Sequence, residues 1–385
     1  MQEADKQQTP TMPQNTATQQ DPAMRQKKTP QREPAMPQQK THQREPAMPQ
    51  QKTHQREPAM PQQKTHQREP AMPQQKTPQQ SPAIPPKPIQ HIPAKHIVTK
   101  TKDQSWFGID YNMNIYRGCC HGCIYCDSRS ACYQIEDFDQ VRTKENALAI
   151  IRDDLRRKAK TGVIGTGSMS DPYNPFESGL LLTRHALELA DAFGFGMAIA
   201  TKSTLLERDA DILESIKEHS PVLCKVTITT PRDELAAKLE PGAPLSSERM
   251  ELISRLAGRG LFAGILLMPV LPFIEDNPSD ILKLVSMASE AGARFIYPAF
   301  GMTLRDRQKE WYLDRLEAIF PGQALRSKYL KRYGNAYWCT SPRAKKLWGE
   351  FSRACEAKKI LYRMNDIIPA YKRGYEYAQL SLFPV

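Results

Sequence analysis

Three cysteines lie close together near the middle of the first half of this 385-residue chain. Three residues separate Cys119 from Cys123, and two residues separate Cys123 from Cys126. Thiolates at this spacing suit an iron–sulfur cubane, in which each sulfur binds a different iron. Three local thiols leave the fourth iron free for a small molecule, unless a distant residue binds it. Gly118 and Gly122 lack Cβ atoms, so the loop can wrap closely around a cluster.

The same region also permits a tetrahedral structural zinc site. The candidate ligands of that site are Cys119 or Cys120 with Cys123, Cys126, Cys132 and His121. A zinc-stabilised module that binds nucleic acid without catalysis is therefore the non-enzymatic alternative. In the iron–sulfur interpretation, Cys120 and Cys132 are spare thiols.

The segment Asn114-Ile-Tyr-Arg-Gly-Cys-Cys-His-Gly-Cys-Ile-Tyr-Cys-Asp-Ser-Arg129 resembles the radical S-adenosylmethionine (SAM) enzymes of the spore photoproduct lyase-related branch. The resemblance implies a [4Fe–4S] cluster on Cys119, Cys123 and Cys126, with Tyr125 beside SAM. It implies that the open iron chelates SAM, and that reductive cleavage yields a 5′-deoxyadenosyl radical that abstracts hydrogen. It also implies an electron donor, such as a reductase, a flavodoxin or a ferredoxin.

A second motif, in residues 165–177, looks like the S/T-D-P-Y-x-P-x-E segment of that branch. By this resemblance Ser170 and Asp171 hydrogen-bond the amino group of SAM. Lys202 follows Ser170 by the 32 residues that the family shows, and it is expected to reach the SAM carboxylate. Thr227 is a looser match to a further cofactor contact. The structural alternatives are a turn-forming Asp171 and a lysine at the barrel rim.

Two further segments match the branch without a clear role. Glu240 and Arg249 fit its E-P-x-A-P…R pattern, and a structural ion pair is the safer interpretation. Residues 269–276 are expected to form a rim on the substrate side.

One position departs from the family and leaves the reaction open. The lyase returns a hydrogen atom from a cysteine just before the residue that matches Ser170, and Met169 stands there in this chain. A thioether has no S–H bond to donate. Cys224 is the nearest substitute in the chain, with a buried apolar cysteine as the alternative. Direct reversal of a thymine lesion is therefore in doubt, and whether SAM is consumed or regenerated stays open.

Six strand-like segments alternate with helical ones over residues 97–302, which predicts a parallel sheet covered on both faces. The predicted strands are Asn112–Tyr116, Val163–Met169, Gly196–Thr201, Val222–Thr229, Leu261–Val270 and Arg294–Phe300. Six units are too few for a closed eight-stranded barrel. The resemblance implies the partial (β/α)6 TIM-like barrel of radical SAM enzymes, in which chemistry takes place at the C-terminal strand ends.

The chain outside the barrel divides into two further regions. Residues 1–95 contain no aromatic residue or cysteine and hold 18 of the 32 prolines, so we expect a disordered, low-complexity tail. Twelve-residue repeats begin there at Gln31, Gln43, Gln55 and Gln67. A tether or a weak basic interaction arm is the functional interpretation, and a spacer of no specific role is the alternative. Residues 303–385 are expected to form a helical, basic C-terminal extension.

The formal net charge of +12 favours polyanionic partners. Residues 326–363 hold eleven Lys and Arg against two Asp and Glu, with seven aromatics interleaved, which suits a DNA surface. The alternative is an amphipathic helical cap. DNA is the first expected substrate, and RNA or protein is the second.

The last part of the chain and its apolar segments carry two more expectations. Gln379–Phe383 resembles the pentapeptide that docks on the DNA sliding clamp, with a tail packed on its own barrel as the alternative. The longest apolar stretch, Leu261–Phe273, is too short to cross a membrane, and the first residues do not resemble a signal peptide. We therefore expect a cytoplasmic protein.

Overall fold

The structure, a computed structural model, describes residues 89–376. Almost all of the predicted tail and the segment Gln379–Phe383 lie outside these residues. The strands are β1 Gln90–Ile92, β2 Val98–Lys100, β3 Tyr111–Met113, β4 Tyr116–Arg117, β5 Arg142–Lys144, β6 Val163–Thr166, β7 Gly196–Thr201, β8 Val222–Thr227, β9 Ala263–Leu267, β10 Phe295–Pro298, β11 Gly301–Thr303 and β12 Trp338–Thr340. The α-helices are α1 Ala147–Arg156, α2 Glu177–Leu180, α3 Leu182–Ala192, α4 Ala210–Lys217, α5 Asp233–Leu239, α6 Ser246–Gly258, α7 Pro278–Glu290, α8 Gln308–Ile319, α9 Leu325–Tyr333, α10 Ala344–Ala357 and α11 Met364–Lys372.

A seven-stranded sheet forms the centre of the fold, in the order β10-β9-β8-β7-β6-β3-β2. Strands β3 and β6 to β10 run parallel, and β2 pairs antiparallel with β3 at the edge. Each of these six parallel strands overlaps one of the six predicted segments, so the predicted α/β architecture is confirmed. The first predicted segment, Asn112–Tyr116, is divided between β3 and β4, which lie in different sheets. All residues of β8 and β9 are buried, because the sheet is covered on both faces.

Strand β8 shows which side chains enter the barrel and which face the helices. Leu223 packs in a cluster with Phe107 and Phe295, which lies inside the barrel. Cys224 and Val226 pack in the outer cluster, with residues of α4 and α6. Since side chains alternate along a strand, Lys225 and Thr227 share the inner face with Leu223.

The N-terminal boundary of the fold differs from the predicted one. Strand β1 pairs in parallel with β5, so residues 90–92 belong to the folded region, although they were assigned to the tail. Strand β5 also pairs with β4, which directly precedes the cysteine loop. Strand β1 acquires its structure from a partner about fifty residues away in sequence, and no local pattern marks it.

The C-terminal region shares its core with the barrel. Leu347 and Phe351 of α10 belong to the main hydrophobic cluster, and α10 packs on α7. After α10, the chain runs beside β10, where the Ile296 N–H donates to the Leu361 carbonyl at 2.9 Å. Helix α7 begins after Asn277, whose side chain accepts from the Ser279 N–H, and a proline occupies the first helical position.

Within residues 89–376, no helix combines the length and the apolar character that crossing a membrane requires.

Candidate cluster and cofactor site

The three cysteines lie on one loop that follows β4. The Cys119 N–H donates to the Phe138 carbonyl at 2.9 Å, and the Cys126 N–H donates to the Cys123 carbonyl at 3.3 Å. Gly118 has a φ of +82°, and a Cβ there would lie 2.4 Å from the Gln140 carbonyl oxygen. A side chain at this position would therefore displace the loop, so the predicted need for glycine is confirmed at Gly118.

The E-P-x-A-P segment supports the loop from the opposite side. The Gly242 N–H donates to the His121 carbonyl at 2.8 Å, and a Cβ on Gly242 would lie 2.7 Å from the Cys120 carbonyl oxygen. The Ile124 N–H donates to the Leu239 carbonyl at 3.0 Å. This segment, whose role the sequence left open, therefore holds the backbone of the cysteine loop in place.

The environment of the thiols fits a positively charged metal group. Burial raises the pKa of the Cys123 thiol well above its usual value, and burial likewise raises the pKa of Cys126. For Cys119, burial also raises the pKa, but the charge and hydrogen bond of His121 outweigh it, so the net shift is downward. Buried thiolates need a compensating cation, and bound iron would supply one.

The arrangement differs from that of a site for a single ion. Among the described residues, no group of three or more His, Cys, Asp or Glu side chains converges in the way that one metal ion requires. A cubane does not require the thiolates to converge on one ion, because each thiolate binds its own iron. Cys120 is half-buried beside the main core, and Cys132 is exposed, with its sulfur 3.0 Å from an Arg305 nitrogen.

Asp171 joins three segments of the site. Its Oδ1 accepts from the Thr201 hydroxyl at 2.6 Å and from the Tyr173 N–H at 2.9 Å. Its Oδ2 accepts from the Lys202 N–H at 2.8 Å and lies 3.4 Å from Nδ1 of His121. The carboxylate is thus engaged by the protein itself, which positions the ends of β6 and β7 against the cysteine loop. It has little capacity left for the amino group of SAM, the contact that the sequence predicted.

Ser170, the neighbour of Asp171, can still accept a hydrogen bond from a ligand. Its hydroxyl donates to the Tyr116 carbonyl at 2.9 Å, so the oxygen lone pairs can still accept from a ligand ammonium. Glu177, the last residue of the motif, accepts from the Tyr116 hydroxyl and from the Thr183 N–H at 2.8 Å. Glu177 therefore anchors the strand that leads into the cysteine loop, a role that its place in the motif did not reveal.

A buried ionic network lies beside Lys202. Its Nζ is 3.9 Å from Oε1 of Glu240 and 5.6 Å from the centroid of the Tyr125 ring. Glu240 accepts from the Tyr125 hydroxyl and from Nη2 of Arg249 at 2.5 Å, which confirms the predicted ion pair. Nη1 of Arg249 donates to the Thr227 carbonyl at 2.6 Å. Tyr125, Lys202 and Thr227, which come from three segments, are thus brought together.

The charge of Lys202 follows from these neighbours. Burial lowers the pKa of its amine, but Cys123 and Glu240 outweigh burial, and the net shift is upward. The side chain is 17% exposed, so a cation is held at the rim with access to a ligand.

Cys224 does not belong to this site. Its side chain is fully buried in the outer cluster, on the opposite side of the sheet from Thr227. The hypothesis of Cys224 as a hydrogen donor is therefore contradicted by the alternation of side chains along β8. Met169 is half-buried in the loop after β6.

The basic, aromatic region of residues 326–363 divides between core and surface. Tyr329, Phe351 and Tyr362 are buried, whereas Tyr337, Trp338 and Trp348 are 54%, 47% and 46% exposed. Tyr333 is half-buried. The buried residues fit the helical cap, and for the exposed residues the DNA surface stays a prediction.

Exposed Tyr337 is linked to the cysteine loop. The Arg305 guanidinium lies 4.9 Å from the Tyr337 ring centroid, and its Nε is 3.1 Å from Oδ1 of Asp127, the residue after Cys126.

These features define a parallel, barrel-like α/β fold with a cysteine loop at the C-terminal strand ends. A comparison with family models matches residues 113–285 to the Radical SAM superfamily. An uncharacterised protein of Mycobacterium tuberculosis is 30% identical over 248 residues, which cover 63% of this chain and 73% of that protein. One from Methanocaldococcus jannaschii is 31% identical over 227 residues, which cover 58% of this chain and 82% of that protein.

Solved structures of spore photoproduct lyase share the fold. A lyase variant superposes with a TM-score of 0.53 at 16% identity, covering 70% of this chain and 78% of the lyase. A lyase complexed with a dinucleoside spore photoproduct gives a TM-score of 0.51 at 17% identity, covering 66% of this chain and 76% of the lyase. The chain belongs to the radical SAM superfamily. It is an enzyme that uses a [4Fe–4S] cluster and SAM, and its chemistry requires a reductant.

Proposed function

We propose that Cys119, Cys123 and Cys126 hold the cluster and that the enzyme acts on DNA, in repair or modification. The observation that carries the first part is the convergence of the buried thiol loop with a cationic Lys202 at the same rim. When bound, the cluster and SAM supply reductive cleavage of a carbon–sulfur bond and abstraction of hydrogen from the substrate. This protein's residues bind and orient these groups.

The contacts support a role around SAM for several residues. We infer that Lys202 neutralises the SAM carboxylate, with Glu240 restraining the Lys202 amine. The Ser170 oxygen is available to accept from the SAM ammonium. Thr227 ends β8 on the inner face of the sheet, with its carbonyl bound by Arg249. Tyr125 flanks the cofactor. We assign Asp171 a positioning role, since its oxygens are occupied by Thr201, Tyr173 and Lys202 donors.

DNA is supported by the surface next to the cysteine loop. Arg305 lies 5.7 Å from the ring centroid of half-buried Tyr133 and 4.9 Å from that of exposed Tyr337. Accessible aromatic rings beside arginine suit unstacked bases and phosphates. The lyase of similar fold is complexed with a dinucleoside photoproduct, which is a property of that protein. In this chain Met169 and the outward-facing Cys224 provide no thiol donor at the rim, so the reaction need not be the same.

Cofactor chemistry is tested by anaerobic reconstitution with iron and sulfide, reduction with dithionite, and an assay for 5′-deoxyadenosine. Cys123→Ala should give no product and should lose the absorbance of the cluster. Cys120→Ala, in the same loop, is the matched control and should retain both. Comparable product from Cys123→Ala would remove the proposed ligand set.

Substrate class is tested by the transfer of deuterium between labelled DNA and 5′-deoxyadenosine. Label in the nucleoside with DNA, and not with RNA or protein, supports the proposal. Transfer from RNA or from protein alone would assign the radical chemistry to that substrate instead.

Docking on the DNA sliding clamp through Gln379–Phe383 stays a prediction, because this segment lies outside the described residues. Deletion of residues 379–385 should abolish a clamp pull-down that the full chain gives. An unchanged pull-down, or none from the full chain, would dismiss it.

A further inference from the structure

Lys225 is a buried lysine that the site described above does not use. It lies on the inner face of β8, two residues before Thr227, and is 2% exposed. Its neighbours in register on the two adjacent strands are Ala200 and Gly264. The Phe295 ring fills the space over Gly264, where a Cβ would lie 2.4 Å from its Cδ1 atom, and the lysine side chain extends to the Phe107 ring.

The amine of Lys225 has no anionic partner. Its Nζ lies 4.8 Å from the centroid of the Phe107 ring. Among the described residues, no carboxylate pairs with it, and burial lowers its pKa to about 7, partly opposed by the neighbouring Cys224 thiol. A buried amine without an acceptor costs free energy. Such a residue is out of place in an apolar interior unless a ligand completes its interactions.

The register places Lys225 just below the cofactor residues. Thr227 pairs with Leu266, which pairs with Tyr297, and together they form one row across the sheet. Lys225, Gly264 and Phe295 form the row below it. Two residues along a strand span about 6.6 Å, a distance that a lysine side chain can cover. A group bound by Lys225 would therefore lie next to the cofactor.

A series of aromatic contacts connects Lys225 with the surface. The Phe107 ring lies 5.4 Å from the Tyr297 ring and 5.0 Å from the Trp106 ring, measured between centroids. Trp106 is 38% exposed. Enzymes that act on a base take it out of the stack, and an exposed ring offers a surface on which it can be held.

We propose that Lys225 is a substrate-binding residue, whose amine donates to an oxygen acceptor of a nucleotide that enters the barrel past Trp106. The acceptor is a base carbonyl or a phosphate oxygen. This inference rests on the proposed function, since it takes DNA as the substrate.

The test measures the affinity of the reconstituted, full-length enzyme for single-stranded oligothymidylate by fluorescence anisotropy. Lys225→Met should weaken binding by about tenfold or more, as expected for the loss of a hydrogen bond from a charged or polar amine. Lys225→Arg, which keeps a donor, should recover part of the affinity.

Lys158→Met is the matched control, because Lys158 also lies on an aromatic ring, 5.4 Å from the centroid of Tyr111, but outside the barrel. It should bind as the wild type does. An oligonucleotide of the same length with abasic sites identifies the acceptor. If Lys225→Met weakens binding of both oligonucleotides equally, the acceptor is a phosphate; if only the thymidylate is affected, it is a base.

Two results would overturn the inference, and they differ. If the wild type binds DNA and Lys225→Met binds it equally well, this inference alone falls. If the wild type binds no DNA, the proposal that the enzyme acts on DNA is wrong, and the inference about Lys225 is wrong with it.

Discussion

Two groups of buried charges in this protein differ in how they are paired. At the rim, Glu240, Arg249 and Asp171 are each held by partners within the chain. One row below Thr227, the Lys225 amine lies against the Phe107 ring, and no carboxylate among the described residues pairs with it. A charge whose partners are all internal is suited to positioning other groups. One without a partner is suited to receiving a ligand.

The largest expected effect comes from breaking the paired group. Arg249→Met removes the guanidinium that pairs with the buried Glu240 carboxylate, so the free energy of unfolding should fall by about 3–5 kcal/mol. Denaturant unfolding of the metal-free chain measures this. Arg259→Met, which breaks an exposed pair with Glu214, is the control and should change stability little. If both substitutions lower the free energy of unfolding equally, the burial of the Glu240–Arg249 pair does not determine its contribution to stability.

Asp171→Asn tests whether positioning affects function. The amide cannot accept all the hydrogen bonds from Thr201, Tyr173 and Lys202, so the end of β7 should move relative to the cysteine loop. Production of 5′-deoxyadenosine should fall by about 10–100-fold, the range found for residues that support metal ligands. The electron paramagnetic resonance spectrum of the reduced cluster should change when SAM is added to the wild type, and less so in the variant. Unaltered activity would place Asp171 outside the site.

Lys225→Met should change the free energy of unfolding in the opposite direction to Arg249→Met, so it should stabilise the protein. Burial lowers the pKa of Lys225 from 10.5 to about 7, so between these values the unfolded chain binds a proton that the folded protein lacks. The contribution of Lys225 to the free energy of unfolding of the wild type should therefore rise with pH between about 7 and 10.5. Adjacent Cys224 stays neutral over most of it, since burial raises its pKa to about 12.

The measurement is the difference in unfolding free energy between Lys225→Met and the wild type at pH 7 and pH 10. The variant should be the more stable at pH 7, and its advantage should shrink as the pH rises. Lys158→Met serves again as the control. A variant less stable than the wild type at both pH values would show that Lys225 already has a favourable partner.

Some of the fold and site followed directly from local pattern. The spacing of Cys119, Cys123 and Cys126 predicted the class of cofactor, and continuous apolar segments predicted the six parallel strands. The Glu240–Arg249 pair was also expected, because both residues lie in one short motif. These features depend on neighbours in the chain, which a sequence displays.

Other features depended on which segments meet in three dimensions. Cys224 and Lys225 are adjacent in a strand buried on both faces, so no alternation of polarity indicated which of them enters the barrel. The aromatics of residues 326–363 divide between core and surface according to the helices that cover them. Asp171 was expected to bind SAM, but its oxygens are taken by donors thirty residues away in sequence. The sequence by itself determined the chemistry that the chain can support, whereas only the tertiary structure decided which polar groups are already paired, because pairing is set by distances between segments remote in sequence.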